Sequence, residues 1–244
     1  IGPGHCWNGS EVLMLTIRRT GDDDMVKVRE IPDMETASRD ELIQMLSDLG
    51  FDSPWKPESL QHLLSDTEKV PVKKIIVRAV DLEPPLSVQR RFLTEFLGDL
   101  RESIAGVKKI SGDVPVVVVV HREMAETARK ELPGVEIFPV GNNHLDTNPM
   151  LTLQKITGKF YSFHDNPLAD GIMVFSAEDL AFIARCLHKG KSRTNKLITV
   201  YAPEMDRPVT VRVRLGTPVK HVLSELGIKY STGDRIILNG VLTG

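Results

Sequence analysis

Two periods of hydrophobic spacing alternate along the middle of the chain. Val72 to Val80 is rich in Ile and Val and reads as a strand, with Asp81 to Pro85 following at its carboxyl end. Gln89 to Ile104 places Phe92, Phe96, Leu100 and Ile104 four apart, which predicts one helix. Pro115 to Val120 is apolar throughout, as a strand buried on both faces must be. A helix over Glu123 to Leu132, a strand over Val135 to Val140, a helix over Met150 to Ile156, a strand over Gly171 to Phe175 and a helix over Ala177 to His188 complete the alternation. Strand and helix in turn predict a parallel, Rossmann-like α/β layer. Upstream, Leu42, Met45, Leu46 and Leu49 share one face of a helix over Ser38 to Leu49, and Ser38 with Glu41 forms a capping box at its start.

The flanks read differently. Glu11 to Ile17 and Val26 to Val28 are strand-like, separated by the acidic turn Asp22 to Asp24, and predict an N-terminal β remnant. Near the other end, Lys196 to Tyr201 is a strand and Pro203 to Arg207 a turn. Val209, Val211 and Val213 then alternate with Thr210, Arg212 and Arg214. Gly216 predicts a left-handed turn. Thr217 is placed to cap a helix that begins at Pro218, shows Val219, Val222, Leu223 and Leu226 on one face, and stops at Gly227. Arg235 to Leu238 reads as a further strand. The order β, β, α, β predicts a small β-grasp-like unit, which pattern alone makes a packing module without a ligand. The expected division is residues 1–32, 33–191 and 192–244.

With 244 residues, 41% hydrophobic and 26% charged, the chain has the balance of a globular protein of one to three domains. A net charge of −2 points away from nucleic acid, and no apolar run approaches the length of a membrane span. The only cysteines, Cys6 and Cys186, cannot form a CxxC pair, so the segment holds no cysteine-ligated cluster or zinc site; their isolation suits a reducing compartment. The chain opens at Ile1-Gly2-Pro3-Gly4 and stops at Leu242-Thr243-Gly244, which reads as a piece of a longer protein.

No GxGxxG or Walker sequence follows any predicted strand. Asp81 and Glu83, at the carboxyl end of a parallel strand, are the first candidates for a site, because ligands of open sheets bind there and paired carboxylates accept hydrogen bonds from a ribityl chain or a nicotinamide. Against this stands a solvated loop stiffened by Pro84-Pro85. Trp55, between Pro54 and Pro57, could stack on an isoalloxazine ring or simply pin its loop to the core. His144 with Asn142, Asn143 and Asp146 reads as a turn of Asx residues, and His121 as a structural strand-end histidine.

Several segments, in order, carry a resemblance to a family: "KIIVRAVDLEPPLSVQ" (74–89), "LQKITGK" (153–159), "DGIMVFSAEDLAFIARCLHKGK" (170–191), "KLITVYAPEMDRPVTVRVRLGTPVKHVLSELGI" (196–228) and "GDRIILNGVLTG" (233–244). The chain from about Ser38 onward resembles the C subunit of the Rnf electron-transport complex. It is also similar to the A subunit of sodium-translocating NADH:quinone reductase and, more distantly, to the flavin subunit of respiratory complex I. The resemblance implies a barrel-sandwich remnant at 1–32 and a soluble-ligand-binding β-grasp domain at 192–244. It implies a peripheral subunit on the cytoplasmic side of the membrane, with other subunits of the complex as partners and NADH, ferredoxin or quinone in its redox chain. It also implies 4Fe-4S clusters in a C-terminal region beyond this chain. Flavin-binding members carry a Gly-Gly-Ala-Gly-Phe-Pro loop, whereas "LGFDSPWKPES" (49–59) has one glycine and two prolines. Fewer backbone N–H groups are free there, and weakened FMN binding is expected. Asp81-Leu82 replaces the family's Glu-Cys before Glu83-Pro84. Two further readings remain open: a stand-alone β-grasp protein that binds a small ligand without redox activity, and an independent flavin enzyme, which the altered loop disfavours.

Overall fold

A computed structural model describes residues 2–5, 11–14, 36–48, 71–83, 86–162, 165–190, 193–231 and 233–238. Gly2–His5 (β1) and Glu11–Met14 (β2) pair antiparallel. The next element, Arg39–Asp48 (α1), starts with the expected capping box: the Ser38 backbone N–H donates to Glu41 (2.8 Å) and the Glu41 N–H to Ser38 Oγ (3.3 Å). The strand Val26 to Val28 lies outside the described residues.

The alternating middle folds as the parallel layer. Its elements are Lys74–Ala79 (β3), Val88–Arg91 (α2), Leu97–Ser111 (α3), Val116–His121 (β4), Ala125–Glu131 (α4), Glu136–Val140 (β5), His144–Thr147 (α5), Pro149–Thr157 (α6), Ile172–Ser176 (β6) and Ala177–Lys189 (α7). Strand order is β5-β4-β3-β6, all parallel, so the order reverses at β3. Every residue of β4 is buried. Ile75, Val77 and Ala79 with Val116, Val118 and Val120 face α1, α3 and α7, where Leu42, Met45, Leu100, Leu180 and Ile183 fill the larger core. Ile76, Val80 and Val119 face the other way, onto Leu153 of α6 and Tyr161. Each such large apolar side chain contributes about 1.5–3 kcal/mol by leaving water. The α3–α7 contact is fixed by Ser103, whose hydroxyl donates to the Leu180 carbonyl and accepts from the Ala184 N–H at 3.0 Å.

Asn195–Val200 (β7) and Val209–Arg214 (β8) form an antiparallel hairpin with Thr199 opposite Thr210, followed by Val219–Glu225 (α8). Gly216 takes φ +84°, the left-handed turn expected of it.

Four expectations are corrected. Gln89 to Ile104 is not one helix: the chain turns through Phe92–Phe96 between α2 and α3. Thr217 does not cap α8, whose N-cap is Pro218, in extended geometry and with no side-chain capping bond. The Asx cluster at 142–146 is more than a turn, because Asn143 Oδ1 accepts the Asp146 N–H (2.9 Å) as the cap of α5. Arg235 to Leu238 forms no strand, and Ile236, Ile237 and Leu238 remain more than half exposed. Among the described residues the C-terminal unit is therefore a two-stranded hairpin with one helix.

Candidate functional site

Beyond β3 the chain leaves the sheet at Val80-Asp81, and the Asp81 side chain turns back onto the start of α2. Its Oδ1 accepts the Gln89 N–H (2.9 Å) and its Oδ2 the Arg90 N–H (3.2 Å). Asp81 thus caps a helix seven residues downstream, complementing the positive end of the helix as well as two open donors. Ser87 stands at the usual cap position but makes no side-chain capping bond. Its hydroxyl pairs instead with Thr210 Oγ1 (2.9 Å), and its N–H donates to Thr199 Oγ1 (3.3 Å), with the two threonines 3.0 Å apart. The β7–β8 hairpin is thereby seated against the loop that leaves β3.

The same loop walls a cleft of about 240 Å³ at the carboxyl end of the sheet. Asp81, Glu83, Leu86, Ser87 and Arg90 come from the β3–α2 segment, His121 from the last position of β4, and Asn142 from the turn after β5. Asp81 and Glu83 are 7% and 5% exposed, so neither belongs to a solvated loop. Arg90 Nη1 pairs with Glu123 at 2.9 Å, while its Nε is buried with no partner among the described residues. His121 is 4% exposed. It interacts with the Gly141 backbone, and its Nδ1 is buried with no hydrogen-bond partner among the described residues. Burial foremost, then the Arg90 cation, holds its pKa below the ordinary histidine value, against the opposing pull of Asp81 and Glu123. His121 is accordingly neutral near pH 7. A buried polar nitrogen left unpaired costs about 1–3 kcal/mol.

Arg78 lies on the same face of β3, beneath α5. Its Nη2 donates to the Thr147 carbonyl (2.8 Å) and its Nε has no partner among the described residues. Desolvation pushes its pKa down to about 10, opposed by Asp81. Among the described residues no group of three His, Cys, Asp or Glu side chains is arranged to hold a metal ion.

The sequence brings Asp81 and Glu83 to one wall, as their place after a parallel strand required. Trp55 and its loop lie outside the described residues. From the sequence His121 reads as a structural strand-end histidine, and Arg90 is not singled out. The signal for His121 was its parity: it stands two residues after Val119, and alternation sends both side chains to one face. Arg90 carried no such signal, because its place depends on Asp81 reaching α2. Asp81→Ala is expected to cost about 1–2 kcal/mol in urea unfolding, with Asp81→Asn recovering part of it, since the cap is lost in the first and kept as a neutral acceptor in the second.

No family model matches the chain. It is 20% identical to the C subunit of the ion-translocating oxidoreductase complex of Klebsiella pneumoniae (strain 342), covering 97% of this chain and 32% of that protein. It is 21% identical to the protein of the same name from Citrobacter koseri, covering 95% and 34%. The chain spans about a third of the length of these curated relatives. Among solved structures, NAD+-reducing NiFe-hydrogenase in its H2-reduced state superimposes with a TM-score of 0.63 at 15% identity, over 80% of this chain and 40% of that one. The air-oxidized state gives 0.63 at 13% identity over the same shares. At such identities the likeness is one of fold, and it agrees with the parallel layer described above.

Proposed function

We propose that this chain, a distant relative of the C subunits of ion-translocating oxidoreductase complexes, is the α/β part of a peripheral subunit in a membrane-bound electron-transport complex. It serves there as scaffold and docking surface, and its cleft is a nucleotide-type seat without a phosphate position. One observation carries this reading of the cleft. It opens where ligands of open α/β sheets bind, yet the α2 N–H groups that a phosphate would meet are held by Asp81. These two N–H groups are therefore not open to the phosphate of FMN. Nor can two cysteines supply the four thiolates of an iron–sulfur cluster; in this reading the clusters belong to the part of the subunit that the chain does not span. The complex passes electrons between NADH and ferredoxin or quinone at the cytoplasmic face of the membrane. Among the described residues no helix is long and apolar enough to cross a membrane, and attachment in this reading runs through the other subunits. Residues 33–191 form its α/β domain, and 192–244 the start of a β-grasp domain.

The test is purification of the tagged full-length protein from its own cells in mild detergent. The expected result is co-purification with membrane-embedded subunits, together with NADH-dependent reduction of an artificial acceptor. Recovery alone from the soluble fraction, without acceptor reduction, would instead support a stand-alone small-ligand binder. The seating of the β7–β8 hairpin at the cleft is the observation that favours this second reading.

A further inference from the structure

Helix α2 is fixed unequally at its two ends. At its C-terminal end it runs into Phe92 and Leu93, both 2% exposed and part of the larger core. None of its own four residues is buried, and Val88 packs only partly against that core. Its N-terminal end is held by polar contacts from three directions. From the end of β3, Asp81 accepts the Gln89 and Arg90 N–H groups. From α7, the Glu178 N–H donates to Gln89 Oε1 at 3.2 Å. From the hairpin, Thr199 and Thr210 engage Ser87, the residue before the helix. The hairpin is seated as lightly. Leu197 is the one buried residue of β7 and β8, and its N–H donates to the Glu178 carboxylate that also pairs with Arg193. A segment with few buried apolar contacts opens at low cost. Two chains of hydrogen bonds thus join the cleft wall to the hairpin. One runs from Asp81 through Gln89 and Glu178 to Leu197. The other runs from Asp81 through the start of α2 to Ser87 and the two threonines.

We infer that the first turn of α2 is a lever, pivoting at Phe92 and Leu93, that couples the cleft wall to the β7–β8 hairpin: drawing the Asp81 carboxylate off α2 unseats the hairpin, and lifting the hairpin loosens the grip of Asp81 on α2. Coupling of this kind needs an element with two arrangements that both sites bias, and here these are the hairpin seated and the hairpin lifted. Linkage makes the effect equal in both directions. The inference goes beyond the reading of the cleft as a nucleotide-type seat. An occupant that competes for Asp81 would be felt at the hairpin, and a partner subunit that lifts the hairpin would be felt in the cleft.

The test is amide hydrogen exchange on the 15N-labelled full chain, read residue by residue by NMR without any ligand. The Leu197 and Ser87 amides report seating, because they donate to Glu178 and Thr199. The amides of β4 report opening of the whole fold. Asp81→Ala is expected to speed Leu197 exchange roughly fivefold, the effect of one ordinary hydrogen bond, with β4 unchanged. Asp81→Asn, which keeps a weaker acceptor, should give a smaller acceleration of the same sign and keeps the test decisive if the alanine variant does not fold. In the other direction, Thr210→Val, close in shape and without the hydroxyl that Ser87 meets, should speed exchange at Gln89 and Arg90. Tyr161→Phe is the control: it loses the bond to Asp170 (2.9 Å) on the opposite face of the sheet and should leave Leu197 as it was. No change at Leu197 in either Asp81 variant, or none at Gln89 and Arg90 in Thr210→Val, overturns the lever. Equal acceleration of Leu197 by Tyr161→Phe overturns it as well, because the effect is then a general loss of stability. Failure of these results leaves the reading of the cleft as a ligand seat untouched, and failure of that reading leaves the coupling untouched.

Discussion

Gly171→Val is expected to destabilise the protein by about 3–4 kcal/mol, while Gly216→Val costs about 1–2. Both glycines have a left-handed backbone, with φ of +82° and +84°, and that alone penalises an L side chain by about 1–2 kcal/mol. They differ in what surrounds them. Around Gly216 a Cβ would meet nothing within 4 Å. At Gly171 it would lie 2.6 Å from the Pro71 carbonyl oxygen, a backbone atom with little room to retreat. The Gly171 carbonyl also accepts from the N–H groups of Lys73 (2.7 Å) and Lys74 (3.3 Å), which fixes the entry of β3 beside β6. Displacing this contact adds about 1 kcal/mol per hydrogen bond. Parallel urea titrations of the two variants measure the difference. Equal losses would show that the Pro71 approach yields freely, and that only backbone handedness matters.

Glu178→Ala is expected to cost about 3 kcal/mol and to loosen the β7–β8 hairpin before the central sheet. Glu178 is 5% exposed. It accepts from Arg193 Nη2 (2.6 Å) and the Leu197 N–H (3.4 Å), and its own N–H donates to Gln89 Oε1 (3.2 Å). Removing it leaves Arg193, stacked over Phe182 at 4.3 Å, with Asp179 as its remaining carboxylate partner in this group, and unpairing a buried charge is costly. Hydrogen exchange should show faster exchange at Leu197 and its hairpin neighbours, with β4 still protected. The pH dependence has a definite sign. Desolvation raises the Glu178 pKa above its ordinary 4.5 despite the pull of Arg193 and Lys196. The folded state therefore holds this proton more tightly than the unfolded state. The resulting stabilisation is complete below about pH 4.5 and is lost as pH rises through the higher folded value. The stability of the parent relative to Glu178→Gln should fall as pH rises through that window. A difference that grows with pH would mean that Arg193 outweighs burial.

The strands of the layer were legible because each is a short run whose neighbours in sequence are helices, and β4 announced burial on both faces by five successive valines. The break between α2 and α3 was not. Phe92 and Phe96 sit four apart and their rings do touch, at 5.0 Å, so the local period is satisfied whether or not the helix continues. What divides it is distant: Asp81 holds the start of α2, while Ser103 and Asp99 tie α3 to α7. Arg235 to Leu238 has strand composition but, among the described residues, no strand beside it, and pattern cannot supply a pairing partner. The cleft was half legible. A carboxylate after a parallel strand is a sequence feature, but the use of Asp81 as a helix cap exists only once α2 has folded back.

The register of β3 also bears on how the chain is made. Lys74 pairs with Ile172 on one side, and Ile75 pairs with Val116 on the other. During synthesis β4 leaves the ribosome well before β6, so a nascent β3–β4–β5 sheet presents one bare edge of β3 until Ile172 to Ser176 arrives. That edge carries Ile75, Ile76 and Val77, all buried in the finished fold, a composition prone to pairing with other chains. The interval between the two strands is the period in which that edge is open to pairing with other chains.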